Sequence, residues 1–320
     1  MRPDGPPPTQ TLATVPSNPQ IGFGAAVNIT ILCMLFGANA VAVKVAFESF
    51  GVFSAAAIRF SSAAIVIALW ALLSGKSFRL QAGQWKHLLV YSVLFTAQLS
   101  LFYIGLNRTY ASRGTLIINL LPFLILLLAH FFIPGDGITR RKLVGLMFGF
   151  GGVVCVLVGT EGLSGSIRSG DGLVLLATFI WACNTVFLKR VINTFSPLHI
   201  VLYSMLFGLP FFFMGACWLD ETAIRTLSLR GVSALFYQTF VTASFGFIAW
   251  NHLLKTYGAV ALHSFVFIMP LVGVVLSGWF LHEPLGPNLW LALICIVVGI
   301  LVVHCKPPGG MTVFPLRRHM

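Results

Sequence analysis

The sequence predicts an all-α integral membrane protein with ten transmembrane helices, arranged as two inverted five-helix repeats. Three observations predict it. Of 320 residues, 58% are hydrophobic and only 9% charged, against about 25% charged in a soluble domain. That is more apolar surface than a water-facing globule can hide. The apolar residues form continuous runs close to the ~20 residues that cross a bilayer, without the alternation of barrel strands. The chain also echoes itself. Leu106, Ala111 and Pro122 return 148 residues later as Leu254, Ala259 and Pro270. Asn39, Val41 and Lys44 return 145 residues later as Asn184, Val186 and Lys189, a drift that loop insertions explain.

Taken in order, residues 1–20 read as a disordered cytoplasmic tail, rich in Pro and Thr. They lack the basic-then-apolar order of a signal peptide, so the first span is expected to stay in the mature protein. Residues 21–160 form the first repeat, with spans at Ile21–Lys44, Phe53–Leu73, Leu88–Leu106, Gly114–Ile133 and Leu143–Val158. A Gly/Ser-rich loop, residues 161–170, separates it from the second repeat, residues 171–304. The spans there are Leu173–Leu188, Leu198–Leu219, Leu235–Leu254, Val260–Leu281 and Leu289–Val303, and residues 305–320 form a second cytoplasmic tail. An odd number of spans per repeat turns the second half over in the membrane, a plan common among secondary transporters.

Charge sets the orientation. With ten spans, the side that holds both termini carries 13 of the Lys and Arg residues and the other side 7. The richer side is cytoplasmic. The net charge of +12 therefore reflects basic loops between apolar runs and not a nucleic-acid surface, which would interleave its cations with exposed aromatics. The six cysteines lie mostly inside apolar runs with no CxxC spacing, so they read as small buried hydrophobes and not as a metal or disulfide framework. An intramembrane enzyme would need a nucleophile–base pair or a metal set in the spans; no HExxH motif is present and the Gly162-Leu163-Ser164-Gly165-Ser166 run falls in an outer loop, so that class is disfavoured. No cofactor is implied.

Several motifs resemble one family. Gly37-Ala38-Asn39-Ala40-Val41-Ala42-Val43-Lys44 is similar to the first-helix signature of EamA-type transporters in the drug/metabolite transporter superfamily. Ala57-Ile58-Arg59-Phe60 resembles that family's second-helix arginine, and Ala111-Ser112-Arg113 with Pro122 resembles its fourth helix. Leu281-His282-Glu283-Pro284-Leu285 resembles the loop after its ninth helix, whereas Gly135-Asp136-Gly137 departs from the acidic pattern expected there in the first repeat. The resemblance spans about residues 25–304. It implies ten helices, two EamA units and export of small metabolites from the cytoplasm across the inner membrane. An amino acid or derivative leads as substrate. Drugs and nucleotide sugars are the alternatives, and a non-transporting receptor or scaffold is the competing class.

Polar residues inside spans mark pathways by default. Asn39 and Asn184 occupy matching places in spans one and six, as cavity amides or as interhelical glue. Arg59 could grip a substrate carboxylate with its fork, snorkel to the headgroups, or pair with Glu48. Lys44 and Glu48 are spaced to pair with each other. Tyr103, Trp181 and Trp250, with Phe102 and Phe247, could wall an apolar cavity or simply pack. Trp85, Trp218 and Trp290 sit at span ends as interfacial belt residues. Gln98, Asn119, Asn251 and His263 are further polar candidates, and His263 could couple flux to protons. The spans hold no mid-membrane Asp or Glu. Pro122 and Pro270 read as paired hinges or fixed kinks. Gly145 and Gly149 make a small-xxx-small face that suits peripheral packing or a homodimer.

Overall fold

A computed structural model describes residues 22–80, 83–132, 139–158, 169–191, 195–257 and 265–304. All regular structure among them is helical, apart from one isolated bridge between Phe50 and Ile224. The helices are α1 (Phe23–Gly37), α2 (Asn39–Ala46), α3 (Val52–Leu73), α4 (Gln84–Asn107), α5 (Ala111–Ile118) and α6 (Leu121–Phe132). Then follow α7 (Arg140–Val158), α8 (Ser169–Val191), α9 (Pro197–Trp218), α10 (Leu229–Phe236), a π-helical segment (Tyr237–Gly246) and α11 (Phe247–Tyr257). The chain closes with α12 (Ile268–Leu281) and α13 (Pro287–His304).

Among the described residues, six segments are long and apolar enough to cross a membrane: Phe23–Ala46, Val52–Leu73, Gln84–Asn107, Ala111–Phe132, Ser169–Leu188 and Leu198–Trp218. Ile268–Leu281 and Pro287–Val303 are apolar but shorter. Side chains such as Leu73, Met147, Trp218 and Trp279 stand exposed on the outside of the bundle, as they should where the surrounding solvent is lipid. Trp85 and Trp290 are exposed as well.

Two of the long segments are interrupted. α1 gives way to α2 at Ala38, one residue before Asn39, and α5 gives way to α6 at Asn119–Leu120. Pro122 is the second residue of α6 and Pro270 the third of α12. Each proline thus occupies a first helical turn, where its missing N–H has no intrahelical partner to lose. In the π segment the backbone ladder skips a residue. Side-chain hydroxyls lie on carbonyls there, Thr239 Oγ1 on Leu235 O (3.0 Å), Thr242 Oγ1 on Gln238 O (2.8 Å) and Ser244 Oγ on Thr239 O (2.9 Å). The same device serves Ser92, Thr96, Thr178 and Thr185 elsewhere, since hydrocarbon offers a hydroxyl no other acceptor.

The principal pairings are α7 with α13, α4 with α8 and α3 with α9, while α12 lies against α1 and α5. Close approach depends on small residues. A Cβ on Gly105 would lie 2.9 Å from Gly170 O, so the backbones of α4 and α8 touch there. A Cβ on Gly299 would lie 2.8 Å from Gly145 O, and one on Gly149 would meet the Phe123 ring at 2.6 Å. The Gly145/Gly149 face is therefore filled by α13 and Phe123 of the same chain. Gly149→Ala should cost about 1–3 kcal/mol through overpacking. Gly151, three residues from Phe148, has nothing within 4 Å of the same added atom, so Gly151→Ala should be neutral or stabilising by up to ~1 kcal/mol. Thermal unfolding of the two purified variants in detergent separates these outcomes.

Candidate functional site

The most unusual group in the bundle is Arg59. It sits in α3 among Ala55, Ala56, Ala57, Ala63 and Ala64, all buried. These small neighbours let adjacent helices close over a long side chain, and Arg59 is only 8% exposed. Its Nη1 donates to Tyr103 Oη (3.0 Å) and to Gln238 Oε1 (3.2 Å), and its Nη2 to Thr242 Oγ1 (3.3 Å). Tyr103 Oη in turn donates to Gln238 Oε1 (3.3 Å), and Gln238 Nε2 donates to the Ala42 carbonyl (3.0 Å). Thr242 Oγ1 lies 3.2 Å from Asn39 Oδ1. One network thus joins α2, α3 and α4 to the π segment.

This cluster unites Asn39, Arg59 and Tyr103 of the sequence-based candidates and adds Gln238 and Thr242, which sequence reasoning missed. The other candidates stand apart from it. Asn184 Nδ2 donates to Gln98 Oε1 (3.4 Å) between α8 and α4, and Asn184 Oδ1 is buried without a partner. Asn119 Nδ2 bonds back to Thr115 O (2.7 Å) on its own turn. Trp181 is half-buried in α8. Trp250 meets Phe36 edge-on at 5.9 Å, beside the small apolar group around Ile29 and Cys33. His263 lies outside the described residues. The Glu48 pairings foreseen for Arg59 and Lys44 do not form. Glu48 lies 3.9 Å from Arg230, and Lys44 Nζ donates to Thr109 O.

At one end of the bundle a belt of polar contacts ties the loops together. Arg113 holds Asp171 through Nε (3.2 and 3.0 Å to the two oxygens) and Nη2 (2.5 Å), and Thr109 Oγ1 donates to the same carboxylate. Asp171 is fully buried. Two other carboxylates cap helix starts. Asp220 accepts from Phe53 N (3.2 Å), Ser54 N (2.8 Å) and Ser54 Oγ (2.8 Å) at α3. Glu283 accepts from Ala111 N (2.5 Å), Ser112 N (2.8 Å) and Ser112 Oγ (2.7 Å) at α5. Each carboxylate satisfies orphan N–H groups and meets the positive end of a helix dipole. Ser49 with Ser228 (2.9 Å) and Arg225 with the Phe47 carbonyl (3.1 Å) complete the belt.

Two apolar grooves, of about 350 and 370 Å³, flank α9. Neither is lined by the Arg59 cluster, which is packed shut in this conformation. Among the described residues no group of three or more His, Cys, Asp or Glu could hold a metal ion.

A helical bundle with six membrane-capable segments among its described residues and a buried polar network defines a multi-pass membrane protein. Its family is explicit in the comparisons. The EamA-like transporter family profile matches residues 24–158 and again 168–305, and the chain belongs to that family. An uncharacterized transporter of Bacillus subtilis, YvbV, is 29% identical over 223 residues, 68% of this chain and 72% of that one. A probable amino-acid metabolite efflux pump of Escherichia coli is 24% identical over 202 residues, 60% of this chain and 67% of its own. One solved crystal structure superposes with a TM-score of 0.63 at 18% identity, covering 87% of this chain and 96% of the other, a likeness of fold.

The buried ion pair yields a stability prediction. Asp171→Asn leaves the Arg113 guanidinium without its counter-charge and should cost about 3–5 kcal/mol. The double change Arg113→Met with Asp171→Leu should recover most of that loss. Melting curves of the three variants in one detergent would show it, and equal destabilisation by the single and double variants would contradict it.

Proposed function

We propose that the chain is a secondary transporter of ten spans in two inverted five-span repeats, and that it exports a small metabolite from the cytoplasm by alternating access. An amino acid or amino-acid derivative is the substrate class. The protein lies in the cytoplasmic (inner) membrane with both termini inside. Substrate contact is assigned to Asn39, Arg59 and Tyr103 from the first half and to Gln238 and Thr242 from the second.

The observation that carries this reading is the cluster itself. A cation and three neutral polar groups are buried, with the half-buried Asn39 beside them, in a span environment where each is costly, and they are contributed by both halves of the chain. A purely structural bundle gains more from apolar packing at such a place. The name of the Escherichia coli relative supports the substrate class. The polar belt supports alternating access. Asp171, Asp220 and Glu283 each bind a residue of the first half from a position in the second, which latches one end. In the proposed orientation that end faces away from the cytoplasm, so this conformer is closed to the outside. Pro122 and Pro270, each beginning a helix inside a span, are the proposed pivots.

Purified protein in liposomes tests this directly. Saturable uptake of labelled amino acids or their derivatives is expected, and Asn39→Ala and Gln238→Ala should each lower it several-fold with folded yield unchanged. A pH gradient that alters the rate would assign proton coupling. Absence of flux for the whole panel by well-folded protein would remove amino acids and derivatives as substrates.

A further inference from the structure

We infer that the Arg59 cluster is a carboxylate site, and that the transported species is a small organic acid with one free carboxylate and no free ammonium group. This rests on the transport reading above and narrows its substrate class.

The argument is one of charge and of unused donors. The sequence has eight acidic residues. Five are described, and each is engaged elsewhere or exposed. Asp171 holds Arg113, Asp220 caps α3, Glu283 caps α5, Glu48 lies near Arg230 and Glu221 is exposed. Every hydrogen-bond partner of Arg59 is neutral. A guanidinium has five N–H donors. Both on Nη1 and one on Nη2 are engaged, and Nε is buried with no partner. The free N–H groups are therefore on Nε and Nη2. Those are the same two nitrogens through which Arg113 grips Asp171. The described residues thus include two buried arginines, one with its carboxylate in place and one whose same two nitrogens each keep a free N–H. A substrate carboxylate completes the second pair bidentately.

The remaining groups set the rest of the specificity. Tyr103, Gln238, Thr242 and Asn39 offer neutral hydrogen bonds and no negative charge. An ammonium group brought here would meet Arg59 without a counter-anion. An acid whose amine is acylated, replaced or absent satisfies the site, a free amino acid does so less well, and a cation is repelled.

The test uses purified full-length protein and matched ligands on several apolar side chains: the N-acetyl amino acid, the free amino acid, the N-acetyl amide and the amino-acid amide. Binding is read as ligand-induced thermal stabilisation and as competition for flux in proteoliposomes. The N-acetyl acid should bind at least about tenfold more tightly than its N-acetyl amide, the difference expected of a charge-assisted fork. Arg59→Gln should abolish that ratio, and Arg59→Lys, which keeps the charge but loses the fork, should reduce it. Should Arg59→Gln fail to fold, the wild-type ratio and Arg59→Lys decide. Equal binding of acid and amide, tighter binding of the free amino acid than of its N-acetyl form, or no response to any acid overturns the carboxylate site. Flux of a neutral or zwitterionic substrate that survives Arg59→Gln overturns it too, while leaving transport standing.

Discussion

Hydrocarbon has no hydrogen bonds to give, and the internal arrangement of this protein follows from that. Every buried polar group must find its partner inside the chain or cost several kcal/mol. Hydroxyls in the helices fold back onto carbonyls one turn away. Asp171 is buried completely and is matched by the fork of Arg113 and the Thr109 hydroxyl. Asp220 and Glu283 find theirs in the exposed N–H groups of helix starts, where a carboxylate answers both orphan donors and dipole. Against that consistency Arg59 stands out, with neutral partners and an unanswered Nε. Ser61 Oγ, Thr115 Oγ1, Asn184 Oδ1 and His199 Nδ1 are buried without partners as well, but of these atoms Arg59 Nε is the one that belongs to a permanently charged group, which makes it the informative case.

The same constraint explains the glycines and alanines. In lipid, burying apolar side chains gains little, because the tails are as apolar as Leu. Helices are held instead by contact between backbones and by the polar groups just described. Gly105 against Gly170, Gly145 against Gly299 and the alanines around Arg59 are where that contact is made. In α3 the two roles meet: small residues bring the neighbours close, and the closeness seals a guanidinium from solvent.

Much of this was legible in the sequence. Continuous apolar runs give away helices that cross a membrane, and Arg59, Asn39 and Tyr103 announce themselves as polar groups inside such runs. The partners were less visible. Gln238 and Thr242 join the cluster through a π segment, whose wider turn changes which side chains share a face, and a period of 3.6 does not reveal that change. Asp171 and Asp220 carry no mark in the sequence, because their partners are 58 and 166 residues away. Asn119 looked like a cavity amide and instead satisfies itself on its own turn. Lys44 and Glu48 have the right spacing for a helical pair, but α2 ends at Ala46, so Glu48 is not on the helix that spacing assumes.

On the transport reading, magnitudes decide how the latched end opens. The carboxylate caps at α3 and α5 are each worth about 0.5–2 kcal/mol, and water can replace them once the end is wet. The Arg113–Asp171 pair is different. Breaking it without a substitute costs about 3–5 kcal/mol, and Asp171 is the carboxylate that meets the Arg113 guanidinium. The cheaper motion therefore releases Asp220 from α3 and Glu283 from α5 while α5 and α8 travel together as one unit. Their travelling together also keeps Gly105 and Gly170 in contact, since α4 is packed along α8. The moving surface is then the one between α2–α3 and the π segment, where the Arg59 cluster bridges the gap. A carboxylate arriving there replaces neutral contacts of Arg59 with a charged one, so loading the site and loosening the bridge across it are a single event.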